Sequence, residues 1–154
     1  METMGGKDAV PLVKASIKGR IEAEIPSQLK YIEPLVTRLV EELRQWGDPA
    51  AAADIEIALT EALTNAMCHG NRMDERKKVT LIGHINEHQA TFTIADEGEG
   101  FDPTRVDDPT RDENVLRQGG RGLWLIHHLM DEVRYNEAAN EITMTRIFHR
   151  AERS

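Results

Sequence analysis

Cysteine is almost absent from this sequence. Cys68 is the only one among 154 residues, so no internal disulfide can form, and a reducing, cytoplasmic setting is the expectation. Long apolar runs are absent too. Nothing approaches the roughly 20 residues of a membrane-spanning helix, and the opening METMGGKDAV lacks the apolar stretch of a secretory leader. Basic residues are in the minority. Nineteen Lys and Arg against 27 Asp and Glu leave a net charge of −8, which argues against a protein that holds DNA or RNA by neutralising phosphates. Internal repeats and low-complexity tracts are missing as well.

What is present suits one soluble domain. Hydrophobic residues make up 40% and charged residues 30%, and a chain of this size buries about 70% of its unfolded surface without staples. Residues 1–14 read as a flexible tail and residues 15–150 as a single domain. ASIKGRIEAEI, residues 15–25, alternates strictly, with Ala15, Ile17, Gly19, Ile21, Ala23 and Ile25 on one face. That pattern predicts one strand with a wet side. Ser27 follows as a candidate N-cap. Residues 28–46 carry helical spacing, with Pro34 marking either the start of the helix proper or a kink. Gly47-Asp48-Pro49 breaks the pattern. A second helix spans 50–69, with Gly70 just past its end. Strands are predicted at 78–86 and 89–95, a helix at 122–132, and closing strands at 133–137 and 141–149. Tight turns between successive strands imply antiparallel pairing, and three helices on one side give an α+β two-layer sandwich.

Three clusters carry chemistry. The first is Glu61 and Asn65, four residues apart on one face of an otherwise apolar helix. An arbitrary pair of this kind is more often a solvated face, yet an amide oxygen can ligate Mg²⁺ and a carboxylate can accept a proton from a hydroxyl. The second is IADEGEGF, where Asp96 leaves a strand and Gly98 and Gly100 follow. A carboxylate there can accept a hydrogen bond from an exocyclic amine beside a surface that glycine leaves open. Alone, it is also an ordinary turn. The third is QGGRGLWLIHHL, in which glycines lead into a helix whose free N–H groups favour phosphate, or serve only to turn the chain into that helix. Arg121 could add a charge-assisted contact. The six His read as surface or packing residues, His69 as at most a supporting group, Cys68 as a small packing residue, and Trp124 as core.

Their order and spacing resemble the ATP-binding superfamily of gyrase, Hsp90, histidine kinases and MutL, with its Bergerat fold. TEALTNAMCHGN resembles the N box of that superfamily, DEGEGF its G1 box, and GGRGLWLIHHLMDEV its G2 box. Within it, the sequence is most similar to the serine-kinase anti-sigma factors of bacterial partner switching, over about residues 15–149. The resemblance implies a largely antiparallel mixed sheet with three helices on one face, and a flexible ATP lid at 102–118. It implies ATP and Mg²⁺, with Glu61 as general base, Asn65 as the metal ligand, and Asp96 on the adenine amine. Gly98 and Gly100 would line the base pocket. Gly120 and Gly122 would contact phosphate, with Arg121 and Leu123 counted among the nucleotide-binding residues of the same box. The implied partners are a STAS-domain anti-anti-sigma factor, a sigma factor or other regulatory protein, and a second copy of the chain, paired through the N-terminal strand and helix. An ATP-dependent sequestering module with little kinase activity is the alternative. No direct nucleic-acid or membrane partner is expected.

Overall fold

The alternating segments pair into one antiparallel sheet. A computed structural model describes residues 13–17, 19–46, 48–99 and 120–149; the predicted lid, Gly100 and residues 1–12 lie outside the described residues. Strands β1 (Val13–Ile17), β2 (Arg20–Pro26), β3 (Lys78–Ile85), β4 (Gln89–Ala95), β5 (Glu132–Tyr135) and β6 (Glu141–Ile147) lie in the order β1-β2-β3-β4-β6-β5, with every pairing antiparallel. Helices α1 (Ile32–Leu43), α2 (Pro49–Asn65) and α3 (Gly120–Leu129) supply the second layer. The expected two-layer α+β sandwich is borne out.

Period-two patterning decides which face of the sheet is covered. Ala23, Leu81, Ile94 and Ile142 stand in register across β2, β3, β4 and β6, and all are buried. The opposite face carries Glu22, Ile82, Thr93 and Thr143 in the next row, with the Thr93 and Thr143 hydroxyls 3.0 Å apart. Against the apolar face lie Leu35, Leu39 and Leu43 of α1 and Ile55, Leu59 and Leu63 of α2, all fully buried. Charged groups enter this layer as well. Arg146 of β6 sits opposite Ala90 and reaches Asp54 of α2 at 3.0 Å and Asp131 at 3.5 Å, fastening helix to sheet. Among the described residues no helix is long and apolar enough to cross a membrane.

Several expectations need correction. The single strand at 15–25 is a hairpin, and Val13 and Lys14, assigned to the tail, belong to β1. Alternation runs through the turn without losing phase, whereas pairing places Ser16, not Ile17, opposite Ile21. Gly19 makes the reversal possible. Its φ is +82°, its carbonyl accepts from Ile85 N–H at 2.7 Å, and any Cβ would overlap the Ile85 carbonyl. Ser27 caps no helix; its buried hydroxyl donates to the Lys77 carbonyl at 2.8 Å. Helix α1 starts at Ile32, so Pro34 falls in the first turn, where a missing N–H is harmless. Trp124 is half-exposed and stacks on His128 with ring centroids 4.8 Å apart, instead of joining the core.

The start of α2 is held by Asp48, which is 8% exposed. Its Oδ1 accepts from Ala51 N–H at 2.9 Å and its Oδ2 from His149 N–H at 2.6 Å, joining the helix to the chain after β6. Desolvation by burial pushes this carboxyl up. The two N–H groups, with Arg146 and His149 nearby, outweigh it and hold Asp48 below its ordinary value of 3.8. A depressed carboxylate stabilises the fold above the unfolded pKa, and that contribution is lost as pH falls through the native value. Asp48→Ala is therefore expected to cost about 1–2 kcal/mol at neutral pH. Chemical denaturation as a function of pH should show the gap to the parent narrowing below pH 3.8.

Candidate functional site

The last turns of α2 form the floor of the site. Ala62 and Leu63 are buried in the core, while Glu61 and Asn65 are half-buried. Thr60 and Thr64 return their hydroxyls to the carbonyls of Glu56 and Thr60, at 2.9 and 2.7 Å. Glu61 and Asn65, by contrast, find no hydrogen-bond partner among the described residues. Above them begins α3. A Cβ on Gly122 would stand 2.7 Å from Glu61 Oε2 and 3.3 Å from Asn65 Nδ2. Any side chain here would push the end of the Glu61 side chain aside, so glycine lets the first turn of α3 rest directly on this carboxylate and amide. Gly120 opens the same helix. Leu123 packs partly buried against the core, and the Arg121 side chain falls outside what is described.

Beyond Asn65 the helix widens. Ala66–Gly70 form a π turn closed by Asn71 N–H to the Ala66 carbonyl at 2.8 Å, a local irregularity often associated with functional sites. It brings Gly70 against the residue that follows β4. A Cβ on Gly70 would overlap the Asp96 carboxyl group, and one on Gly98 would overlap the Gly70 carbonyl. Asp96 N–H donates to the Asn140 carbonyl at 2.9 Å, and Asp96 Oδ1 accepts from Gly98 N–H at 2.8 Å. Burial pushes the Asp96 carboxyl above its ordinary range, with Gly98 N–H and Lys77 offsetting only part of the shift. The structure thus places Glu61, Asn65 and Gly122 together, and Asp96 with Gly98 and Gly70, at one end of the same helix.

Two contributors escape the sequence reading. Gly70 read as a helix stop and is instead the surface that receives Asp96. Asn71 was not singled out, yet it is 1% exposed and bonded on both sides of its amide. The only available signal was a polar residue directly behind the helix-ending His69-Gly70. Among the described residues no group of three or more His, Cys, Asp or Glu side chains is placed to hold a metal. A hard cation here would have Asn65 as a single amide-oxygen ligand and complete its shell from water and phosphate, which is how Mg²⁺ is commonly bound.

A family model described as the histidine kinase-like ATPase domain matches residues 25–146. The chain belongs to that ATPase family. Within it, the sequence is 35% identical over 139 residues to "Serine-protein kinase RsbW" of Staphylococcus aureus strain bovine RF122 / ET3-1, covering 82% of this chain and 85% of the relative. The proteins of the same name in strains MRSA252 and Newman match to the same extent. The resemblance of this ATPase-family chain to the serine-kinase branch, read from the three boxes, is borne out.

The raised Asp96 carboxyl has a stability consequence. A buried acid with an elevated pKa costs nothing below its unfolded value; the penalty grows as pH rises from there through the native value and is complete above it. Asp96→Asn keeps an oxygen for Gly98 N–H and removes the charge. It should raise the melting temperature of the ligand-free protein at pH 7, and thermal scans should show the advantage shrinking toward pH 3.8.

Proposed function

We propose that the chain is an ATP-dependent protein serine/threonine kinase that also acts as an anti-sigma factor, phosphorylating a STAS-type antagonist and sequestering a sigma factor. The observation that carries this reading is the seating of Gly122 on Glu61 and Asn65, while Gly70 and Gly98 enclose Asp96 at the same helix end. Family membership and the serine-protein kinase relatives support it.

In this reading Asp96 accepts a hydrogen bond from the adenine amine with the carboxylate oxygen left free by Gly98. Gly98 would line the base pocket beside Asp96, as would Gly100, which lies outside the described residues. The N–H groups at the start of α3, from Gly120 to Gly122, receive phosphate oxygens, with Arg121 and Leu123 in the same segment. Asn65 would supply an amide oxygen to the metal. Mg²⁺, when bound, supplies positive charge that neutralises the phosphates. Glu61 takes the proton from the incoming serine hydroxyl and aligns it for attack. Residues 102–118 would close over the nucleotide. Pairing of two copies through the N-terminal strand and helix belongs to the same proposal; β1 is an edge of the sheet.

Labelled ATP with a purified STAS-domain partner tests the reading. Glu61→Gln should lower serine phosphorylation by about 10²–10⁴-fold and leave Mg-ATP affinity within about twofold. Asp96→Asn should weaken Mg-ATP binding by about tenfold or more, although the same change stabilises the ligand-free fold. Parent protein that binds ATP and holds its partner without transferring phosphate would replace the kinase by a sequestering module. Asn65→Ala and Asp96→Asn proteins that both bind Mg-ATP like the parent would remove the nucleotide site.

A further inference from the structure

Asn71 stands where three separate stretches of chain meet, and none of the roles assigned above uses it. We propose that Asn71 is a positioning residue for base recognition. Without touching the nucleotide, its amide fixes the turn after β4 so that Asp96 faces the base pocket. The proposal rests on the nucleotide reading of the site.

The amide is fully engaged. Its Oδ1 accepts from Glu97 N–H at 2.7 Å, and its Nδ2 donates to Ser27 Oγ at 2.8 Å and to the Lys78 carbonyl at 3.0 Å. Ser27 already spends its own proton on the Lys77 carbonyl, so it must accept from Nδ2, and the amide has only one workable orientation. The end of β2, the start of β3 and the turn after β4 are thereby locked to one buried group. Glu97 is held a second time, because its carboxylate accepts from Lys78 N–H.

The consequence falls on Asp96. Its own N–H is fixed by Asn140, and the next N–H in the chain by Asn71. The peptide joining Asp96 to Glu97 is thus restrained on both sides of the residue whose carboxylate must point at the base. Loss of Asn71 releases the second restraint and leaves Glu97 N–H without its partner. The backbone is also committed to placing this residue. Arg72 and Met73, directly after it, both adopt left-handed conformations, with φ of 51° and 58°. Such conformations are costly for side-chain-bearing residues. The turn persists through Met73 N–H to the Met67 carbonyl at 2.8 Å and Asp74 N–H to the Asn71 carbonyl at 3.0 Å.

Calorimetry on the full chain with Mg-ATP and with inorganic Mg-triphosphate tests the idea. Asn71→Ala is expected to weaken Mg-ATP binding about five- to tenfold while triphosphate binding stays within twofold. Ser27→Ala cuts the same network at its far end and leaves the Glu97 bond intact. It should lower the melting temperature yet keep Mg-ATP affinity within twofold. Equal losses for both ligands in folded Asn71→Ala, or unchanged ATP affinity, overturn the proposal. A parent that binds neither ligand overturns the nucleotide reading itself. Should Asn71→Ala not fold, NMR of the parent decides: the Asn71 side-chain NH₂ pair and the Glu97 amide should shift with Mg-ATP and not with Mg-triphosphate, and signals unmoved by ATP refute the role.

Discussion

Backbone meets carboxylate at the end of α2, and the rest of the site depends on that contact. Gly98 lies so close to the Gly70 carbonyl that a side chain there would collide with backbone, and a side chain at Gly70 would displace the Asp96 carboxyl. Helix layer and sheet layer are joined here by bare peptide. The same helix, a little earlier, receives the glycine-bearing start of α3 on Glu61 and Asn65. One helix end therefore sets the positions of two chain segments far from it in sequence. A methyl group at any of these glycines would require a neighbouring atom to move, and at Gly98 that atom belongs to backbone.

Holding this geometry is costly. A π turn interrupts the helical ladder, two consecutive side-chain-bearing residues sit at positive φ, and a carboxylate is partly stripped of water. Such features persist only when the surroundings over-determine them. The aliphatic core between sheet and helices, the Asp48 bonds at the opposite end of α2, and the Arg146 pairs with Asp54 and Asp131 fix the helix along its length. The distribution is physically reasonable: strong packing and capping lie away from the site, and the strained and desolvated groups lie at it.

Much of the architecture was legible because burial follows period. The strand 89–95 and the helix that carries Glu61 and Asn65 could be read from alternation and helical spacing, whereas the grouping of Asp96, Gly98 and Gly122 with that pair was implied only by the family resemblance. The N-terminal hairpin was not legible, since Gly19 sits in phase with the apolar residues on either side and its positive φ leaves no mark in an alternation pattern. Ser27 looked like a cap because it stands before a helix, while its true partners are Lys77 and Asn71, 50 and 44 residues away. Asn71 was missed for the same reason. Its neighbours in sequence suggest a helix stop, whereas its bonds reach Ser27, Lys78 and Glu97. Long-range satisfaction of a buried amide is invisible to local pattern.

Charge sharpens the reading of how such a site could hold a nucleotide. The chain carries a net −8, and two of the side chains facing the proposed ligand, Glu61 and Asp96, are themselves acids. The overall field therefore repels a triphosphate. In the proposed reading attraction is local, from N–H groups at the start of α3, from Arg121 and from a divalent cation that Asn65 would help to hold. Within that arrangement the two acids do different work. Asp96, partly desolvated and tied to Gly98, suits a fixed acceptor for a neutral donor on the base. Glu61, half-exposed and without a hydrogen-bond partner among the described residues, would in the kinase reading take up the proton of the serine hydroxyl. Burial and bonding, more than the identity of the carboxylates, separate an anchor from a base.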